Sequence, residues 1–175
     1  ALAAGLSIAG LVQARRAQLE AESREREAAE ITEALAGLFE LANPSHLPGE
    51  KLTARQLLEE GEERLERELA DRPLRLARLL DVMAASYLDL GIRHEAERLA
   101  RRSLHLLDEH GEADSLQAAA AVSTLGRIVV SENATEAEGH YRRALELRRR
   151  ILGDEHLDTA EACVNLADHL LRHGA

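Results

Sequence analysis

Two histidines, His169 and His173, form the pattern in this sequence that is closest to a chemical site. They are four residues apart, so on a helix both side chains would lie on one face and could reach the same metal ion. No third ligand follows at a suitable spacing, and histidines near a helix C-terminus also complement the helix dipole. His94-Glu95 lacks the second histidine of the His-Glu-x-x-His zinc motif. We therefore predict no metal, no cofactor and no catalytic residue in this chain.

Two further arrangements that could carry chemistry also favour a structural interpretation. A di-iron helical bundle needs two Glu-x-x-His motifs that face inward, and the sequence contains none. The single cysteine, Cys163, lies in an apolar helical stretch. We expect it to be a small buried core residue rather than a reactive thiol.

The composition predicts an all-α protein. Its 175 residues suffice for one domain with a core. Aromatic residues make up only 2% of the chain, so leucine and alanine must build that core. Alanine, leucine, glutamate and arginine dominate, and all four are strong helix formers. The net charge of −10 argues against nucleic-acid binding, because phosphates require a basic face.

The N-terminal part of the sequence resembles a membrane exit followed by a stalk. Residues 1–12 carry no charge but are too short to cross a bilayer, which takes about 20 apolar residues. We expect them to be the end of a transmembrane helix; a buried helix end and a signal-peptide remnant are the alternatives. Residues 13–42 are predicted to form one long helix and residues 43–52 a loop. We expect the chain to be a segment of a longer protein.

Capping residues predict where the next helices begin and end. Thr53-x-x-Gln56 fits a capping box at the start of a helix that runs to about residue 70, and Pro73 suits the first turn of the following helix. Two more N-terminal caps are predicted at Thr135-x-x-Glu138 and Asp158-x-x-Glu161. Two helix ends are predicted at Gly91 and Gly111.

From residue 74 the sequence repeats itself. A first signature recurs at steps of 42 and 41 residues, as Met83-Ala84-x-x-Tyr87, Leu125-Gly126-x-x-Val129 and Leu166-Ala167-x-x-Leu170. A second signature recurs 41 residues on, as Ala96-x-x-x-Ala100 and Ala137-x-x-x-Tyr141. Alanine or glycine beside a large residue lets two antiparallel helices approach closely. Two independent signatures with one period indicate stacked helical hairpins rather than an ordinary bundle.

This pattern resembles the tetratricopeptide repeat, whose consensus has Leu-Gly-x-x-Tyr followed by Ala-x-x-x-Phe. The longer period, and the run 144–156 that leads into Val164-Asn165-Leu166-Ala167, resemble the kinesin-light-chain type. Ala100, Val129 and Leu170 depart from the consensus. The resemblance implies antiparallel hairpins stacked as a right-handed superhelix over residues 53–175, with an incomplete third repeat. It also implies a scaffold that binds a protein or peptide in its inner groove.

The first helix of each hairpin would line this groove. By the repeat register, the groove-facing candidates are Arg78, Asp81, Ala85, Asp89, Ser123, Arg127, Asn165 and Asp168. In the kinesin-light-chain type, an asparagine before the Leu-Ala pair hydrogen-bonds the partner's backbone, and Asn165 matches that position. Val82 and Thr124 occupy it in the other repeats, which argues against a complete ladder of such contacts.

A second resemblance concerns the parent protein. Leu41-Ala42-Asn43-Pro44, residues 52–61 and residues 64–69 resemble the region between membrane helix and repeats in bacterial receptor-like serine/threonine kinases. This implies a single-pass inner-membrane protein with extracytoplasmic repeats, whereas Arg15 and Arg16 favour the opposite orientation. The chain itself contains no kinase motif. The alternatives are a free-standing scaffold or regulator, and self-association through the long N-terminal helix.

Overall fold

The computed structural model describes residues 53–173, apart from the side chains of Ala54 and Leu57. This part contains six helices and no strand, so the all-α prediction is confirmed. The helices are α1 (Ala54–Glu68), α2 (Pro73–Asp89), α3 (Arg93–Glu109), α4 (Leu116–Val129), α5 (Ala134–Leu152) and α6 (Leu157–His173). None of them is long and apolar enough to cross a membrane. The predicted membrane segment 1–12, helix 13–42 and loop 43–52 lie outside the described residues.

The helices pack in the order expected of stacked hairpins. Helix α2 packs against α3, and α4 packs against α5, each as a pair of consecutive helices. The second helix of one hairpin then contacts the first helix of the next, as α3 does with α4 and α5 with α6. The two first helices α2 and α4 also touch, and α1 packs on α2. This packing is that of an all-α helical repeat.

Leucine and alanine build the core, as the composition predicts. Leu80, Leu99 and Leu107 are completely buried. Ala96 and Ala137, the repeated alanines of the second helices, are also completely buried. Small side chains at these positions let the helices approach, so large neighbours can fill the remaining space.

The closest helix approach in the second hairpin involves Gly126 on α4 and Tyr141 on α5. A Cβ atom added to Gly126 would lie 3.1 Å from Cε1 of Tyr141 and 3.3 Å from Cβ of His140. The tyrosine ring therefore occupies the space that a side chain at position 126 would need. This confirms that the repeated small-residue position receives a large residue of the partner helix.

Several predicted helix boundaries are confirmed. The Gln56 N–H donates to Thr53 Oγ1 at 3.2 Å and the Thr53 N–H donates to Gln56 Oε1 at 2.9 Å, which completes the capping box of α1. Pro73 is in the first turn of α2. Gly91 and Gly111 follow α2 and α3 with φ values of 76° and 75°, a conformation that glycine adopts without steric cost. Helix α1 ends at Glu68, slightly before the predicted residue 70.

Two predicted N-terminal caps are wrong. Helix α5 begins at Ala134, and the Glu136 N–H donates to Asn133 Oδ1 at 3.1 Å. Thr135 therefore lies inside the first turn, because the extended backbone of Asn133 already offers a capping side chain two residues earlier. Helix α6 begins at Leu157, which places Asp158 within its first turn. His156 takes the capping role there, since its Nδ1 accepts from the Asp158 N–H at 3.1 Å.

Replacing Asn133 with alanine should lower the free energy of unfolding by about 1 kcal/mol, because α5 loses its N-terminal cap. Thr135→Ala is the matched control, and we expect a change within about 0.5 kcal/mol for this exposed residue. Urea denaturation followed by circular dichroism measures both values. A larger loss for Thr135→Ala than for Asn133→Ala would contradict the cap assignment.

Candidate functional site

The predicted groove residues all lie on the first helices α2, α4 and α6. Asp89, Arg127 and Asp168 are exposed. The remaining candidates are half-buried, namely Arg78, Asp81, Ala85, Ser123 and Asn165. None of the eight is fully buried, so each leaves some surface for a partner.

An ion pair joins the groove candidates of neighbouring repeats. Arg127 Nη2 on α4 lies 3.5 Å from Asp89 Oδ1 on α2, and the Asp89 side chain is 72% exposed. Such an exposed and long pair contributes little to stability because water competes for both charges. The pair stays available for exchange with charged groups of a partner. On α6, Asp168 pairs instead with Arg172 of its own helix at 2.9 Å.

Asp81 is the most unusual group in this row of residues. Its Oδ1 atom is shielded from solvent and makes no hydrogen bond to any other residue in the described range 53–173. Burial raises the pKa of the Asp81 carboxyl to about 6, because desolvation penalises the charged form. The Thr124 side chain and the Arg127 guanidinium act in the opposite direction and lower the pKa, but burial outweighs them.

The role of Thr124 was not predicted from the sequence. The sequence marks it only as a departure from the asparagine at the position before the Leu-Gly pair. In the structure Thr124 is 8% exposed and faces the Asp81 carboxyl of the preceding repeat. The signal that could have found it is the register itself, since this position of one repeat neighbours the groove row of the previous one.

His169 and His173 do lie together, as their spacing predicts, but as part of a ring cluster. Their ring centroids are 5.2 Å apart, and the His169 ring lies 5.3 Å from that of Tyr141 on α5. His169 is only 4% exposed, so it contributes to the packing between α5 and α6. Between residues 53 and 173, His, Cys, Asp and Glu side chains nowhere gather in a group of three that could hold a metal.

The prediction that Cys163 is buried is wrong. The cysteine is exposed, because α6 buries Thr159, Ala162 and His169 against its neighbour and turns the adjacent face outward. The apolar surroundings of Cys163 in the sequence therefore belong to a surface rather than to a core.

The comparisons agree with the helical-repeat architecture. A family model described as the tetratricopeptide repeat matches residues 130–175, which cover α5 and α6. A search of curated proteins found no match. The chain thus contains a tetratricopeptide-repeat region. Repeats of this class are non-catalytic and generally mediate protein–protein interactions.

Proposed function

We propose that residues 53–175 form a docking module that binds a protein or peptide along the groove lined by α2, α4 and α6. The observation that carries this proposal is the contact between α2 and α4, which places Asp81, Asp89, Thr124 and Arg127 side by side. The row combines an exchangeable ion pair with a shielded carboxylate, and such groups select partners by charge. The module binds without cofactor or nucleic acid.

Two charge reversals test the groove. We expect Arg127→Glu to lower the amount of partner that the immobilised chain retains, because it converts the central cation into an anion. Arg142→Glu is the matched control, since Arg142 is an exposed arginine whose ion pair with Glu138 stays within the second helix α5. Asn165→Ala adds a test of the third first helix. Retention that is equal for all four chains would remove the groove from the function.

We further propose a context for the module: the sensor or scaffold segment of a membrane-anchored bacterial serine/threonine kinase, with kinesin-light-chain-type repeats outside the cytoplasm. The resemblance of residues 41–69 to such kinases and the uncharged residues 1–12 support this context. The coding sequence upstream of Ala1 tests it. Kinase motifs there are the expected result, whereas a nearby start codon would leave a free-standing scaffold or regulator.

A further inference from the structure

Helix α6 carries an apolar stripe on its outward face. Leu157, Val164 and Leu171 are 72%, 65% and 87% exposed, and Ala160 and Ala167 are exposed between them. The spacing of three and four residues places all five on one side of the helix over its whole length. The opposite side packs through Thr159, Ala162 and His169. We call these five exposed residues the α6 stripe.

The fold itself shows what such a face is built to contact. One repeat earlier, 41 residues back, Ala160 and Ala167 correspond to Ala119 and Gly126 of α4. Both are buried, and Tyr141 of α5 packs directly on Gly126. The equivalent face of α4 is therefore a helix-packing surface on which a large side chain fills the space above a small one. The α6 stripe has the same small residues but is exposed.

A second copy of α6 supplies the missing large residues. In an antiparallel pair with its two-fold axis between Ala160 and Val164, each Val164 meets the alanine at position 160 of the other copy. Each Leu157 likewise meets the alanine at position 167, so large residues oppose small ones at all four inner positions. We propose that two copies of this chain associate through the α6 stripe as an antiparallel helix pair with two-fold symmetry.

The size and charge of the surface set the strength of this association. Helix α6 has 17 residues and is about 25 Å long, which places a pair of such helices among the small interfaces. Glu161 lies beside the stripe near the two-fold axis and would face its counterpart, and the chain carries a net charge of −10. We therefore expect a weak, concentration-dependent dimer that strengthens with salt as the repulsion is screened.

The single cysteine gives a direct test. Cys163 is exposed and lies one residue from the proposed axis at the edge of the stripe. Because the chain has no other cysteine, a short bismaleimide can form a covalent dimer only between two Cys163 side chains. Sedimentation equilibrium of the 175-residue chain at low and high salt measures the non-covalent dimer in parallel. We expect both a cross-linked dimer and tighter association at high salt.

Variants separate the stripe from other routes to association. Val164→Glu should raise the dissociation constant about tenfold or more, because it brings charge into the pair of helices. Glu161→Gln should lower it by removing the like-charge contact. Leu90→Glu is the matched control, since Leu90 is a large exposed hydrophobic residue outside α6, and it should change nothing. Circular dichroism confirms that each variant folds.

A chain that stays monomeric at every concentration would overturn the proposal and leave the stripe for a helix of another protein. Association that Val164→Glu leaves unchanged would also overturn it and would direct attention to the N-terminal residues 13–42. Sedimentation of the chain without residues 1–41 distinguishes that second case, because dimerisation through α6 survives this truncation.

Discussion

Replacing Gly126 with leucine should destabilise the fold by about 2 kcal/mol, because α4 and α5 would have to separate. The first atom of the new side chain would already lie 3.1 Å from Tyr141 and 3.3 Å from His140. The three further carbons of leucine have no free space, since Gly126 and Tyr141 are both buried. Leucine is the better helix former by about 1 kcal/mol, so the packing penalty must exceed this gain.

Gly139 provides the matched control for this substitution. It lies in the middle of α5 and is exposed, and an added Cβ atom would meet nothing within 4 Å. Gly139→Leu should therefore stabilise the fold by about 0.5–1 kcal/mol through helix propensity alone. Urea denaturation of both variants measures the contrast, and helix propensity cancels between them. Equal effects at the two glycines would show that α4 and α5 do not meet at Gly126.

The success of the sequence in predicting the fold has a physical basis. Close packing of two helices needs a small residue where they cross, so positions such as Ala96, Ala137 and Gly126 are visible as recurring letters. Their burial and the Tyr141 contact follow directly from that requirement. The period of 41–42 residues then fixes the order of helices, and residues 53–173 show that order.

Helix starts were less predictable because several residue types can cap a helix. The segment before α5 offers both Asn133 and Thr135, each followed three residues later by a glutamate. The backbone turns into the helix after Asn133, and no local pattern distinguishes the two positions. The cysteine illustrates a different problem: its apolar neighbours recur in buried helices of the chain, whereas only the packing of α6 shows that its face is turned outward.

The candidate site was predictable in position but not in chemistry. The repeat register alone identified the first helices as the source of the groove residues, and these residues lie there. The Asp89–Arg127 pair and the approach of Thr124 to Asp81 depend on the distance between α2 and α4. Such distances between repeats are not encoded in the letters of either repeat alone.

Asp81→Asn should stabilise the fold at pH 7.5 and leave its stability nearly unchanged at pH 4. The pKa of Asp81 is about 6 in the folded chain, against about 3.9 for an unperturbed aspartate. Folding therefore favours the protonated form, and the contribution of Asp81 to stability falls as the pH rises from about 4 to about 6. A shift of this size corresponds to a loss on the order of 2–3 kcal/mol above pH 6.

The asparagine variant stays neutral over the whole range, so it should not show this loss. Because an amide only approximates a protonated carboxyl, we expect a gain of about 1–2 kcal/mol at pH 7.5. Urea denaturation of the wild type and the variant at both pH values isolates Asp81 from the other carboxylates. Asp89→Asn controls for net charge, since Asp89 is an exposed aspartate on the same helix.

The sign of the result at pH 7.5 decides which interaction dominates at Asp81. If the attraction of Arg127 outweighed desolvation, Asp81→Asn would destabilise the fold at this pH instead of stabilising it. A stabilising substitution would mean that the chain keeps a carboxylate in its groove at the expense of its own stability. Shielded charge of this kind has a function at a binding surface, where a cationic or N–H group of a partner offsets the cost of desolvation.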